Sequence, residues 1–124
     1  MELTDFFKSY IDTEEQPVVI CDLDYRIVYI NNAAAKKYEK YGGFDLVGKP
    51  LRSFTTIEGE SKINMVVEWF KESQENNNVF VLRDTSQNVD TYIISIRDGN
   101  GKLIGFANRK ISRTPDDSKQ YDII

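Results

Sequence analysis

The side chains that most often carry chemistry are scarce in this sequence. It holds no histidine and a single cysteine, Cys21, among 124 residues. Without histidine, Ser-His-Asp and Cys-His nucleophilic sites, the histidine-bearing zinc and non-haem iron sites, and a phospho-accepting histidine all lack an essential member. One cysteine makes neither an intrachain disulfide nor a Cys-rich zinc site, and a lone free cysteine packs as a small hydrophobe. No metal site is expected. What remains are carboxylates and phenols. Asp22, Asp90 and Tyr92 are the residue types from which an isomerase-like cavity with a carboxylate base is built. Each falls near an expected turn or strand end, where solvated carboxylates are commonplace, so no catalytic residue is assigned.

The charge balance narrows the partners. With 16 basic against 20 acidic residues the formal charge is -4, the wrong sign for binding that works by displacing phosphate counterions. Direct nucleic-acid contact is not expected. The length suits one domain with one core. No apolar run approaches the roughly 18–20 residues that span a bilayer, and Met1-Glu2-Leu3-Thr4-Asp5 lacks the basic start of a signal peptide. A cytoplasmic protein without a membrane segment is expected.

The elements that must position any site follow from periodicity. Leu3, Phe6, Phe7, Tyr10 and Ile11 recur at three-and-four spacing and predict an amphipathic helix capped by Thr4 or Asp5. Residues 17–21 and 27–30 are β-branched runs around Asp22-Leu23-Asp24-Tyr25, which predicts a hairpin. Asn31 precedes Ala33-Ala34-Ala35 as the cap of a helix that ends at Gly42-Gly43. Gly48 and Pro50 allow only short turns between 44 and 56. The longest helix is predicted over 61–74, with Ile63, Val66, Val67 and Phe70 on one face and Met65 and Trp69 beside it. Three strands follow at 79–82, 90–97 and 103–111, the last two joined at Asp98-Gly99-Asn100-Gly101.

This order, with three local motifs in register, resembles the PAS family. The motifs are Val18-Val19-Ile20-Cys21-Asp22 through Asn31-Asn32-Ala33-Ala34, Leu46-Val47-Gly48-Lys49-Pro50-Leu51, and Arg97-Asp98-Gly99-Asn100-Gly101-Lys102-Leu103-Ile104-Gly105. The resemblance implies an α+β fold: a five-stranded antiparallel sheet with helices on one face, preceded by the amphipathic helix. It implies segments 1–16 (helix), 17–111 (PAS domain) and 112–124 (tail). It also implies limits on cofactors. Flavin light sensors of the family carry a reactive cysteine where this sequence has Leu51, so no cysteinyl adduct forms. Haem-binding members generally use histidine, which leaves only ligation through Cys21, a tyrosine or a methionine. Family members joined to an effector usually leave the last strand through Asp-Ile-Thr, whereas this chain reads Ser112-Arg113-Thr114. That departure suits a stand-alone sensor or adaptor, and a piece of a longer protein reads the same way.

The register implied by the resemblance turns Val19, Cys21, Thr91, Ile93, Phe106 and Asn108 toward a ligand cleft, with Met65 and Trp69 as its lid. The opposite strand phase, Tyr92, Ile94 and Ile96, then lies on the outer face. Together with Leu3, Phe6, Phe7, Tyr10 and Ile11 it forms the expected homodimer surface. Three readings stay open: a sensory module for an unknown small molecule or signalling protein, a ligand-free dimerisation scaffold, and a small cavity enzyme.

Overall fold

The computed structural model describes residues 2–123. Met1 and Ile124, the outer limits of the expected segments 1–16 and 112–124, lie outside them. Helix α1 spans Leu3–Asp12. Asp5 acts on its start from inside the first turn: the Glu2 N–H donates to Asp5 Oδ2 at 3.2 Å. The capping flank is therefore Glu2, in place of the expected Thr4 or Asp5.

Strands β1 (Val19–Asp22) and β2 (Ile27–Ile30) form the hairpin. Its turn is held by Asp22 Oδ1, which accepts from the Asp24 and Arg26 N–H groups at 2.9 and 3.0 Å. Tyr25 occupies the left-handed region there, at φ 60°. The strand begins at Val19, two residues later than the periodicity suggests, because the backbone groups before it bond to asparagine side chains. Val18 N–H donates to Asn31 Oδ1 and the Pro17 carbonyl accepts from Asn108 Nδ2.

Helix α2 (Asn32–Lys37) starts where Asn31 Oδ1 accepts from Ala34 N–H at 2.9 Å. Single turns at Glu39–Tyr41, Gly43–Leu46 and Leu51–Ser53 carry the chain to the long helix. That helix, α3 (Ile57–Glu72), begins four residues before the predicted Ser61 and stops two before Gln74. Thr56 Oγ1 accepts from Gly59 N–H at 2.9 Å, so the first turn is stabilised by a cap despite its polar composition and its glycine.

Strands β3 (Asn78–Asp84), β4 (Val89–Arg97) and β5 (Leu103–Ser112) complete one antiparallel sheet of order β2-β1-β5-β4-β3. The last strand of the chain is its middle strand. At the β1–β5 contact Gly105 lies opposite Asp22. A Cβ at Gly105 would overlap the Cys21 carbonyl oxygen, so only glycine lets the two strands approach.

Ile27 and Ile30 from β2, Ala34 from α2, Leu46 from the second single turn, and Val67 and Phe70 from α3 form a buried cluster on one face of this sheet. Each large apolar side chain so buried is worth about 1.5–3 kcal/mol. Arg97 ties α3 to the sheet. Its Nη2 donates to the Phe70 carbonyl in the last turn of α3 (2.8 Å) and to the Ser73 and Asn76 carbonyls of the segment that follows (3.1 Å each). Among the described residues no helix is long and apolar enough to cross a membrane.

Candidate functional site

Alternation along the strands decides what the inner face shows. Phe106 lies opposite Cys21 on β1 and Ser95 on β4, Asn108 opposite Ile93, and Lys110 opposite Thr91. These rows face α3 across a cavity of about 400 Å³. Val19, Cys21, Thr91, Ile93, Phe106 and Asn108, the six strand residues expected to point inward, all line it. The opposite wall is Ile63 and Val66 of α3, with Leu51 and the stacked pair Tyr38 and Phe54, whose rings lie 4.5 Å apart.

The expected lid is corrected. Met65 and Trp69 do not line the cavity; Met65 is 71% exposed and Trp69 40%. The reason is helical geometry. Ile63, Val66, Val67 and Phe70 share the face toward the sheet, and Met65 lies about 200° around the helix from Ile63. The Met65–Trp69 stripe is a second, outward face.

The polar groups of the cavity divide into committed and uncommitted ones. Asn108 is committed. Its Oδ1 accepts from Val19 N–H and its Nδ2 donates to the Pro17 carbonyl, both at 2.7 Å, so the amide continues the β1–β5 ladder where β1 runs out. Thr55 Oγ1 donates to the Leu51 carbonyl at 3.1 Å. Lys110 is different: its Nζ donates to Thr91 Oγ1 at 3.1 Å, and no carboxylate among the described residues lies within 4.0 Å of it. Burial pushes its pKa down, the nearby charge of Lys37 adds to this, and Asp84 opposes it. Strand alternation from Phe106 through Asn108 leads directly to Lys110, a signal present in the sequence.

Cys21 is buried, and burial first and the Asp22 charge second push its thiol up to about 12. It is a protonated, packed side chain and not the thiolate that attacks or ligates. Leu51 lines the cavity. No cluster of three or more Cys, Asp and Glu side chains that could hold a metal ion is present among the described residues.

The carboxylates of the enzyme reading lie elsewhere. Asp22 holds its turn, and Asp90 pairs with Arg83, Nε to Oδ1 at 2.9 Å and Nη2 to Oδ2 at 3.2 Å, which keeps its carboxyl below the usual range. Tyr92 packs on Phe80, ring centroids 5.3 Å apart. None of the three lines the cavity.

The second predicted surface is also placed. Leu3, Phe6, Phe7 and Tyr10 are exposed on α1. Tyr10 and Ile11 share a groove of about 300 Å³ with Ile94, Ile96 and Ile111 on the outer sheet face. Tyr92 stands apart from that groove, toward the β3 edge.

A family model for the PAS domain matches residues 15–113. The chain belongs to the PAS family. Solved structures agree on the fold. The PAS domain of a protein from Colwellia psychrerythraea superposes with a TM-score of 0.63 at 14% identity, covering 90% of this chain and 97% of that one. A C-terminal domain from Streptococcus mutans gives 0.69 at 13% identity, covering 88% and 84%. A sensory box sensor histidine kinase from Vibrio cholerae gives 0.59 at 14% identity, covering 88% and 92%. No curated protein matches the sequence. At these identities the PAS neighbours speak for architecture, and the site must be argued from its own residues.

Proposed function

We propose that this PAS domain is a non-catalytic sensory module of the cytoplasm. A small molecule occupies the inner cleft, and its occupancy alters a homodimer contact made by α1 and the outer sheet face. The observation that carries the reading is the cavity of about 400 Å³, within the size range of small-molecule sites. Its largely apolar lining, with a few polar groups at Thr91, Asn108 and Lys110, is the composition of a small-molecule cleft.

The dimer half rests on the apolar stripe of α1, where Leu3, Phe6, Phe7 and Tyr10 are each more than half exposed. A second copy of the chain, carrying the same stripe, supplies a matching apolar surface across a two-fold axis. The ligand shifts that contact only by binding one arrangement more tightly than another.

Native mass spectrometry and sedimentation test the two halves. The protein purified without denaturation is expected to carry a small-molecule mass that Val66→Trp, which fills the cleft, removes. Sedimentation at micromolar concentration is expected to give a dimer that Phe7→Asp converts to monomer. A bare, monomeric wild-type protein overturns the proposal.

A further inference from the structure

We infer that the cleft selects an apolar molecule ending in a single carboxylate, whose head is held by the Lys110 ammonium and the Thr91 hydroxyl. The inference rests on the cleft being a ligand site and adds the class of ligand. Its body follows from the walls. Val19, Ile63, Val66, Val79, Ile93 and Phe106 offer hydrocarbon and no hydrogen bond. The cavity of about 400 Å³ holds about a dozen non-hydrogen atoms at the roughly 30 Å³ that each water takes up in the liquid.

The head follows from charge. Among the described residues, neither aspartate nor glutamate lines the cleft, and its two charged liners are Lys62 and Lys110. Lys62 is an exposed rim residue, its ammonium 3.4 Å from Glu58. Lys110 stands on the wall of the cavity, half-buried, with Thr91 as its hydrogen-bond partner. An ammonium has three donors, so two are left without an acceptor among the described residues.

Asp84, whose charge acts on Lys110, is occupied by its own turn. Its Oδ1 accepts from Ser86 Oγ at 2.6 Å and from the N–H groups of Ser86 and Gln87 at 3.0 and 3.1 Å. Thr91 accepts from Lys110 and keeps its own proton to donate. One point charge beside one hydroxyl matches a carboxylate. The planar fork of arginine that favours phosphate is absent from the lining.

The test uses decanoate and 1-decanol, which share a chain and differ in the head, titrated by calorimetry below their aggregation concentrations. Wild-type protein is expected to bind decanoate at least about tenfold tighter than 1-decanol, the scale of a charge-assisted hydrogen bond. Lys110→Met should bind both equally, at the affinity of the alcohol, while Lys110→Arg keeps the preference. Circular dichroism melts establish that both variants are folded.

Equal binding of acid and alcohol by wild type, both lost in Val66→Trp, overturns the carboxylate inference and leaves the cleft as a ligand site. A preference that survives in Lys110→Met overturns the role of Lys110. Binding of neither probe overturns the inference; the ligand reading falls with it only when native mass spectrometry also finds the purified protein bare.

Discussion

Two polar regions of this PAS domain are built from similar side chains and end differently. In the seam where α1, β1 and α2 meet, Asn31 is fully buried and uses nearly all of its capacity. Its Oδ1 accepts from Val18 and Ala34 N–H, and its Nδ2 faces the carbonyls of Ile11, Glu14 and Gln16 at 3.4, 3.3 and 3.0 Å. Asn108 closes the same seam from β5. In the cleft, a few residues further along β5, Lys110 reaches one hydroxyl. A satisfied network fixes architecture, and donors left over beside a cavity are available to a ligand. One orphan interrupts the seam: among the described residues, Asp12 Oδ1 is buried without a partner, while Oδ2 accepts from the Tyr29 hydroxyl at 2.8 Å.

If the seam is structural, breaking it should cost stability first. Asn31→Ala leaves two N–H groups and up to three carbonyls without their partner and should destabilise by about 3 kcal/mol or more in urea unfolding, with faster hydrogen exchange across α1. Asn108→Ala orphans the Val19 N–H and the Pro17 carbonyl and should cost about 2 kcal/mol. Stability unchanged in both would erase the distinction between the regions.

If the cleft is functional, removing its charge should do the opposite. Lys110→Met exchanges a partly desolvated ammonium for an apolar chain of similar length. Urea unfolding should show stability unchanged or raised by up to about 1 kcal/mol. A large loss would assign Lys110 to the scaffold instead.

The smallest effect belongs to the tether of α1. Burial first, then the hydrogen bond to Asp12, push the Tyr29 phenol up to about 12. A folded pKa above the unfolded one means that the contribution is whole below about pH 10 and is lost as pH rises toward 12. Tyr29→Phe should remove about 1 kcal/mol or less, and the difference from wild type should vanish above that window.

How much of this was legible varied with the kind of signal. The register implied by the PAS resemblance turned Val19, Cys21, Thr91, Ile93, Phe106 and Asn108 inward, and a strand offers only one other phase. On α3 the resemblance suggested Met65 and Trp69 as a lid, where the three-and-four spacing of Ile63, Val66, Val67 and Phe70 already defined the buried side. The early start of α3 was hidden because its cap is one threonine before a polar, glycine-containing turn. Arg97 gave no signal, since most of its partners are backbone carbonyls at and beyond the end of α3 that only the fold brings near. Asn31 was readable as a cap. Its bonds to the α1–β1 connection were not, because they join residues separated along the chain.

The proposed ligand site is the inner cleft and not the groove beside α1. Amide and methyl NMR of the full chain titrated with decanoate tests it most directly. Shifts concentrated at Val66, Thr91, Ile93, Phe106 and Lys110, with Leu3–Asp12 undisturbed, are the predicted result. Shifts centred on Tyr10, Ile11, Ile94 and Ile96, with the cleft silent, would contradict it.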